Sequence, residues 1–304
     1  WLPLENKGSA ISLPIGAVVL AHFILCALVL VPVGQIMGRL FGQFPPLRAY
    51  ALDLAGSLTG VVAFGALSAC RTPPAIWFSL ALAVFLITSC RGTSERLWTL
   101  VWAGITVAVL VVMATPGEIW SPYYRVTTRQ VGTNIKEIYV NGQHHQTILD
   151  FTLGHPYVQK TKDRFQIPYQ KAKSLDDVLI VGAGTGNDVA IALSMGARHI
   201  DAVEIDPVFF DLGNRFHPQT PYQSDRVTRY NTDARAFFRN TDKKYDLIVF
   251  GTLDSQALLG HLSSIRLDNY IYTREAFDEA YRLLKPDGLM AVFHMSMSNH
   301  IGLR

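Results

Sequence analysis

The sequence predicts two parts of different class: a helical, membrane-type segment over residues 1–118, then a doubly wound α/β domain over 119–304, entered through a small N-terminal β-hairpin region. Three observations predict it. Six of the 27 Lys/Arg and three of the 24 Asp/Glu side chains fall within residues 1–115. Long apolar stretches follow one another in that same part. Beyond it, short strand-like runs alternate with helical ones, and a glycine loop joins the first pair. With 17% charged residues over 304 positions the chain is not a disordered tail. A net charge of +3 leaves no basic excess, so nucleic acid is not an expected partner.

No charge stands between Lys7 and Arg39, between Arg71 and Arg91, or between Arg96 and Glu118, and only Asp53 stands between Arg48 and Arg71. A helix needs about 20 apolar residues to cross a bilayer. Four spans are expected, near 12–35, 50–70, 73–90 and 97–115, with membrane lipid around them. Four spans put Lys7, Arg71, Arg125, Arg129 and Lys136 on one side and Arg39, Arg48, Arg91 and Arg96 on the other, which does not choose an orientation. Asp53 is read as a carboxylate hydrogen-bonded to a neighbouring helix or as part of a polar path, and Gly56 and Gly60 let a second helix approach. His22 stands alone, and Cys26, Cys70 and Cys90 read as small hydrophobes, so no metal is expected. The chain opens on Trp1, and Ser296–Arg304 reads as unfinished for this fold, so a mature or truncated form is expected.

From about Pro122 the period changes. Alternation over Tyr124–Arg129 and Ile135–Val140, with a turn at Asn141-Gly142, predicts the hairpin region. Asp177–Val181, His199–Ile205, Arg226–Tyr230, Tyr245–Phe250 and Leu289–Phe293 predict five strands. Asn187–Met195 and Thr273–Leu284 predict helices, the second closed by Lys285-Pro-Asp-Gly288.

Gly182-Ala-Gly-Thr-Gly186 follows a strand and opens a helix, where glycine lets a ligand approach the backbone closely. Glu204 ends the next strand, placed to accept hydrogen bonds from two ribose hydroxyls. That spacing fits a nicotinamide dinucleotide or an S-adenosylmethionine-type ligand. Two features favour the second: the loop lacks GxGxxG spacing, and Asp233-Ala234 after the third strand suits an adenine edge.

These residues resemble the spermidine synthase (polyamine aminopropyltransferase) branch of the S-adenosylmethionine-type transferases. The resemblance runs from about Pro122 to Phe293 through Ser121-Pro-Tyr-Tyr-Arg125, Asn141-Gly…Gln146…Asp150…His155, Val178–Gly186, Val203-Glu-Ile-Asp-Pro207, Arg226-Val…Asp233 and Tyr245-Asp-Leu-Ile…Asp254. Leu47-Arg-Ala-Tyr50 and Gly56–Gly60 are similar to segments of bacterial proteins that fuse such a domain to transmembrane helices.

The resemblance implies a Rossmann-like fold of the class I methyltransferase and spermidine synthase type, in an integral protein of a bacterial-type inner membrane with its soluble domain in the cytoplasm. It implies S-adenosylmethionine or its decarboxylated form as co-substrate, held by Gln146, Gly182, Gly184, Gly186, Glu204, Asp206, Asp233 and Ala234. It implies Asp254 as the proton acceptor and Tyr123 and His155 toward a small-molecule acceptor, an amine; the long segment from Asp254 to Thr273 is unlike the family's and offers Arg266, Asp268, Tyr270 and Tyr272 for a lid or a different acceptor pocket. The family's first Asp of the Asp-x-x-Asp-Pro segment is Gly251 here, its Pro is Ser255, its glycine-loop Asp is Thr185, and its Gln after Pro-Tyr is Tyr124. The donor side is kept and two diamine-holding carboxylates are missing. A membrane-anchored transferase is the leading expectation. A methyltransferase, an accessory nucleoside-binding subunit, and a transporter or sensor are its alternatives. A homo-oligomer or other membrane subunits are expected partners.

Overall fold

The structure is a computed structural model that describes residues 14–89, 92–114, 116–131, 135–251 and 270–293. The chain divides into two compact units, 1–65 and 66–304. This boundary differs from the one expected at 118/119.

Four helices open the chain: α1 (Ile15–Phe41), α2 (Pro46–Ala69), α3 (Pro74–Ser89) and α4 (Thr93–Val112). Two of them, α1 and α2, are long and apolar enough to cross a membrane. At 16 residues α3 spans only ~24 Å at 1.5 Å per residue, short of a ~30 Å hydrocarbon core. Their large side chains lie open, as with Phe23, 70% exposed, and Val61, also 70% exposed. Within the first unit, Asp53 lines an apolar pocket with Met37, Leu40, Phe41 and Leu52.

Within the second unit, α3 packs on α4. Trp77 of α3 meets Trp120 edge-on at 5.4 Å. Arg71 pairs with Asp211 at 2.6 Å, and the Ser68 hydroxyl donates to the Pro122 carbonyl at 3.2 Å.

Four antiparallel strands follow as a meander: β1 (Ile119–Trp120), β2 (Arg125–Val131), β3 (Ile135–Val140) and β4 (Gln143–Ile148). Asn141 and Gly142 both have positive φ, the two-residue turn whose twist matches a hairpin. The inward side chains Val126, Ile138, Val140 and Ile148 pack on Val208, Phe209 and Leu212 of α7 (Pro207–Phe216).

The larger sheet has five parallel strands: β5 (Asp177–Val181), β6 (His199–Glu204), β7 (Val227–Asn231), β8 (Tyr245–Phe250) and β9 (Leu284–Val292), in the order β7-β6-β5-β8-β9. This is the doubly wound order, with its switch between β5 and β8. Along β5, Val178 and Ile180 enter one core with Val189, Ile191, Leu247 and Val249. Leu179 and Val181 enter the other, with Phe238, Ile248, Phe250 and Ala276. Apolar residues at every position from Val178 to Val181 are thus what a strand covered on both faces requires. The covering helices are α5 (Pro156–Lys171), α6 (Asn187–Ser194), α7, α8 (Ala234–Asn240) and α9 (Arg274–Tyr281), with a 3-10 turn at Pro221–Gln223.

Two local expectations change. The last strand starts at Leu284 rather than at 289, because the Tyr245 amide donates to the Leu283 carbonyl and pairing begins there. A register shift between Tyr245 and Leu247 absorbs the Pro-Asp-Gly segment. The helix α5 is not among the predicted elements: Pro168 lies inside it and its exposed face is charged, yet Val158 and Tyr169 anchor it in the core.

Candidate functional site

Parallel strands of a doubly wound sheet deliver their carboxyl ends to one crevice at the switch in strand order. Here that crevice is a cavity of about 350 Å³. Seven of the twelve residues singled out from sequence line it: Gln146, Gly182, Gly184, Glu204, Asp206, Asp233 and Ala234.

The glycine loop is held from three sides. The Gly184 amide donates to Glu204 Oε2 at 2.9 Å. The Tyr222 hydroxyl donates to the carbonyls of Gly184 at 2.7 Å and Ala183 at 3.1 Å. Gln146 Oε1, at the end of β4, accepts from the Thr185 amide at 3.3 Å and the Thr185 hydroxyl at 3.1 Å. Gly184 has φ at +54°, a left-handed conformation that favours glycine, and a β-carbon there would stand 2.7 Å from Gln146 Oε1 and push that side chain off the loop. Asn187 completes the link: its Nδ2 donates to the Thr147 carbonyl at 2.7 Å and its Oδ1 accepts from the Leu149 amide at 3.3 Å. Gly186 is the N-cap of α6, outside the cavity lining.

The acids at the tips of β6 and β7 are tied to backbone. Glu204 Oε1 accepts from the Asp206 amide at 3.0 Å, which leaves each Glu204 oxygen with lone-pair capacity for a ligand hydroxyl. Burial pushes the Glu204 carboxyl up to about 7. Asp206 caps α7 by accepting from the Val208 amide at 3.0 Å; burial raises its pKa, and the Ser121 hydroxyl beside it counters part of that rise. Asp233 caps α8 through the Ala236 amide at 2.9 Å.

Tyr123 is partly exposed, and burial together with the charges of Asp206, Asp233 and Glu204 raises its hydroxyl pKa. His155 is exposed and caps α5, its Nδ1 accepting from the Tyr157 amide at 3.2 Å. Tyr272 packs beside Phe277, with ring centroids 6.5 Å apart. Neither His155 nor Tyr272 lines the cavity. Asp254, Arg266 and Asp268 lie outside the described residues.

The cavity also contains residues that the sequence reading passed over. His145 stacks on Phe209 at 5.0 Å, and burial pushes its pKa down to about 4, so the ring is neutral. Asp188, in the first turn of α6, is buried and pushed up to about 7 by burial. Tyr157, Arg164, Phe165 and Phe293 complete the wall nearest α5. Among the described residues, six buried side-chain polar atoms have no hydrogen-bond partner, and four of them belong to this lining: His145 Nδ1, Gln146 Nε2, Asp188 Oδ1 and Asp206 Oδ2. Buried polar groups are normally paired. Four in one cavity mark it as a place completed by a ligand. No group of three or more His, Cys, Asp or Glu able to hold a metal occurs among the described residues.

A doubly wound parallel sheet, a glycine loop after its first strand and an acid at the tip of the second define a Rossmann-like class of domain. Within that class, residues 162–301 match the spermine/spermidine synthase domain. The chain is 33% identical over 134 residues to the polyamine aminopropyltransferase of Streptococcus uberis, covering 43% of this chain and 44% of that protein. To the polyamine aminopropyltransferase of Agathobacter rectalis it is 25% identical over 199 residues, 59% of this chain and 67% of that one. The spermidine synthase structure from Thermotoga maritima superposes with a TM-score of 0.44 at 16% identity, covering 56% of this chain and 54% of that one. The chain thus spans about half the length of several relatives it matches.

Proposed function

We propose that this chain is a membrane-anchored transferase of spermidine synthase type, moving an aminopropyl group from decarboxylated S-adenosylmethionine to an amine acceptor. The observation that carries the reading is the cavity at the strand ends, with Glu204 braced by two backbone amides and lone-pair capacity left over, in a domain matched to spermine/spermidine synthases. In this reading the Glu204 carboxylate accepts the ribose hydroxyls, and Asp233 and Ala234 meet the adenine edge. Gln146 Nε2, a buried donor with no partner among the described residues, turns to the same ligand.

The chemistry is a displacement. The neutral amine attacks the carbon beside the sulfonium, the C–S bond breaks with its electron pair going to sulfur, and a thioether leaves. The new ammonium gives up one proton to a carboxylate, the role assigned to Asp254. Membrane anchoring is supported by α1 and α2, whose apolar side chains lie open and would be unfavourable in water. Because the donor is an intracellular metabolite, the domain faces the cytoplasm in this reading.

The test is product analysis with the full chain, each donor form and a panel of amines. Aminopropylated product is expected, and Asp254→Asn is expected to lower turnover about a hundredfold or more with donor binding intact. A methylated product moves the reading to methyl transfer. No product with either donor retires catalysis in favour of an accessory nucleoside-binding role.

A further inference from the structure

The crevice between β5 and β8 is closed by two glycines. Gly182 follows β5 and Gly251 follows β8. A β-carbon on Gly251 would stand 2.8 Å from the Gly182 carbonyl oxygen, so the two chain segments touch there and position 251 admits no side chain without a shift. The same point is 3.6 Å from Asp188 Oδ2. Among the described residues beside Gly251, α6 brings a carboxylate, that of Asp188.

Asp188 differs from the other three lining acids. Glu204, Asp206 and Asp233 each accept a backbone amide. Asp188 Oδ1 is fully buried and has no partner among the described residues. Tyr169 of α5 and Tyr222 of the 3-10 turn face Asp188, Gly251 at the end of β8 lies beside it, and Arg164, Glu204 and His145 line the same cavity. No ion pair joins Asp188 to Arg164 or to any other cation among the described residues. Leaving a buried carboxylate oxygen unpaired is unfavourable unless the group stays protonated or a cation arrives. In the same cavity lining, Phe165 and Phe293 stack at 5.5 Å and offer aromatic faces of the kind an ammonium or its alkyl chain packs on.

We propose that Asp188 is the residue that holds the acceptor's ammonium group in this chain, and so determines that the acceptor is a cationic amine. This rests on the reading above, that the chain transfers a group to an amine. Burial alone brings Asp188 to a pKa of about 7, so near neutral pH it is about half protonated. An ammonium seated against it draws the proton off, and binding releases about half a proton at pH 7.

The experiment is titration calorimetry on the full chain in detergent, with 5′-methylthioadenosine present and 1,4-diaminobutane as the probe, at pH 7 in two buffers of different ionisation enthalpy. The wild type is expected to bind the diamine and release a fraction of a proton. Asp188→Asn keeps the volume and is expected to weaken diamine binding at least tenfold, to abolish the proton release, and to leave 5′-methylthioadenosine affinity within twofold, which reports that the domain is folded. Diamine binding by the wild type without proton release, equal binding by the Asn variant, or no binding by the wild type overturns the proposal. Turnover measured in parallel separates the two readings. A chain that turns over amines with Asp188→Asn indifferent loses only the Asp188 role. A chain that binds diamine through Asp188 but never turns over loses only the transfer reaction.

Discussion

The acids of the cavity fall on two sides of the strand-order switch, and the two sides are finished differently. At the tips of β6 and β7, Glu204, Asp206 and Asp233 receive the amides of Gly184, Val208 and Ala236, so these carboxylates brace the glycine loop and cap α7 and α8. At the β5–β8 side, Asp188 Oδ1 receives nothing among the described residues; elsewhere in the lining Asp206 Oδ2, Gln146 Nε2 and His145 Nδ1 are also unpaired. Each unpaired buried group costs about 1–3 kcal/mol. The first side is a preformed cradle whose shape does not wait for a ligand. The second is held in an unfavourable state that a polar, cationic ligand relieves. The comparison separates residues that build the site from residues that select what enters it.

The sharpest way to break this comparison is to remove a brace. Glu204→Ala strips the Gly184 and Asp206 amides of their acceptor as well as the expected ribose contact. At least a tenfold loss of 5′-methylthioadenosine affinity is expected, together with a loss of about 1–3 kcal/mol of stability. Calorimetry and urea melts measure the two. Unchanged affinity would place the nucleoside elsewhere.

The second test uses pH. Asp188 and Glu204, both pushed up to about 7 by burial, stay protonated in the fold after the unfolded chain has lost those protons. Their contribution is present below the unfolded carboxylate range and is lost as pH rises toward 7. His145 and His217 run the other way: burial pushes both down to about 4, so the folded chain lacks protons that the unfolded chain takes up below 6.5, and stability is gained as pH rises. Two of each kind nearly cancel between about pH 5 and 6, and a flat profile is expected there. Asp188→Asn removes one side of the balance. Stability of that variant should rise with pH by about 1.4 kcal/mol per unit over this window, read from urea melts at pH 5, 5.5 and 6. A profile as flat as that of the wild type would mean that Asp188 is ionised in the fold.

Much of the braced side was legible in the sequence and little of the selecting side was. Strand β5, apolar at every position from Val178 to Val181, the Gly182–Gly186 loop and Glu204 at the end of β6 form a local pattern with fixed spacing, because one βαβ unit makes them neighbours. Asp188 carries no such signature: in a helix an Asp one turn in reads as an ordinary exposed first-turn acid, and only the fold shows Gly251 arriving from 63 positions away to bury it. His145 belongs to the same class, since its burial depends on Phe209 of α7. The helix α5 was hidden by Pro168 and by its charged face. The four apolar runs near the start were legible as helices, but their lengths separate α1 and α2, which can cross a membrane, from the shorter apolar stretches of α3 and α4.

The smallest expected effect concerns His155, which belongs to neither side in the structure although the resemblance puts it toward the amine. It is exposed, and its Nδ1 accepts the Tyr157 amide at the start of α5, where Pro156 fills the first helical position. A residue with that role is replaceable by any good N-cap. His155→Ala leaves the Tyr157 amide without its acceptor and should lower stability by about 1 kcal/mol, whereas Asn, whose side-chain oxygen caps a helix well, should restore most of it. Both variants should keep the amine KM within twofold, because His155 itself is not part of the cavity lining. Urea melts and steady-state kinetics on the pair decide the matter. A KM that rises in the Asn variant while its stability stays at the wild-type value would show that the imidazole reaches the acceptor during turnover, and would move His155 into the selecting side beside Asp188.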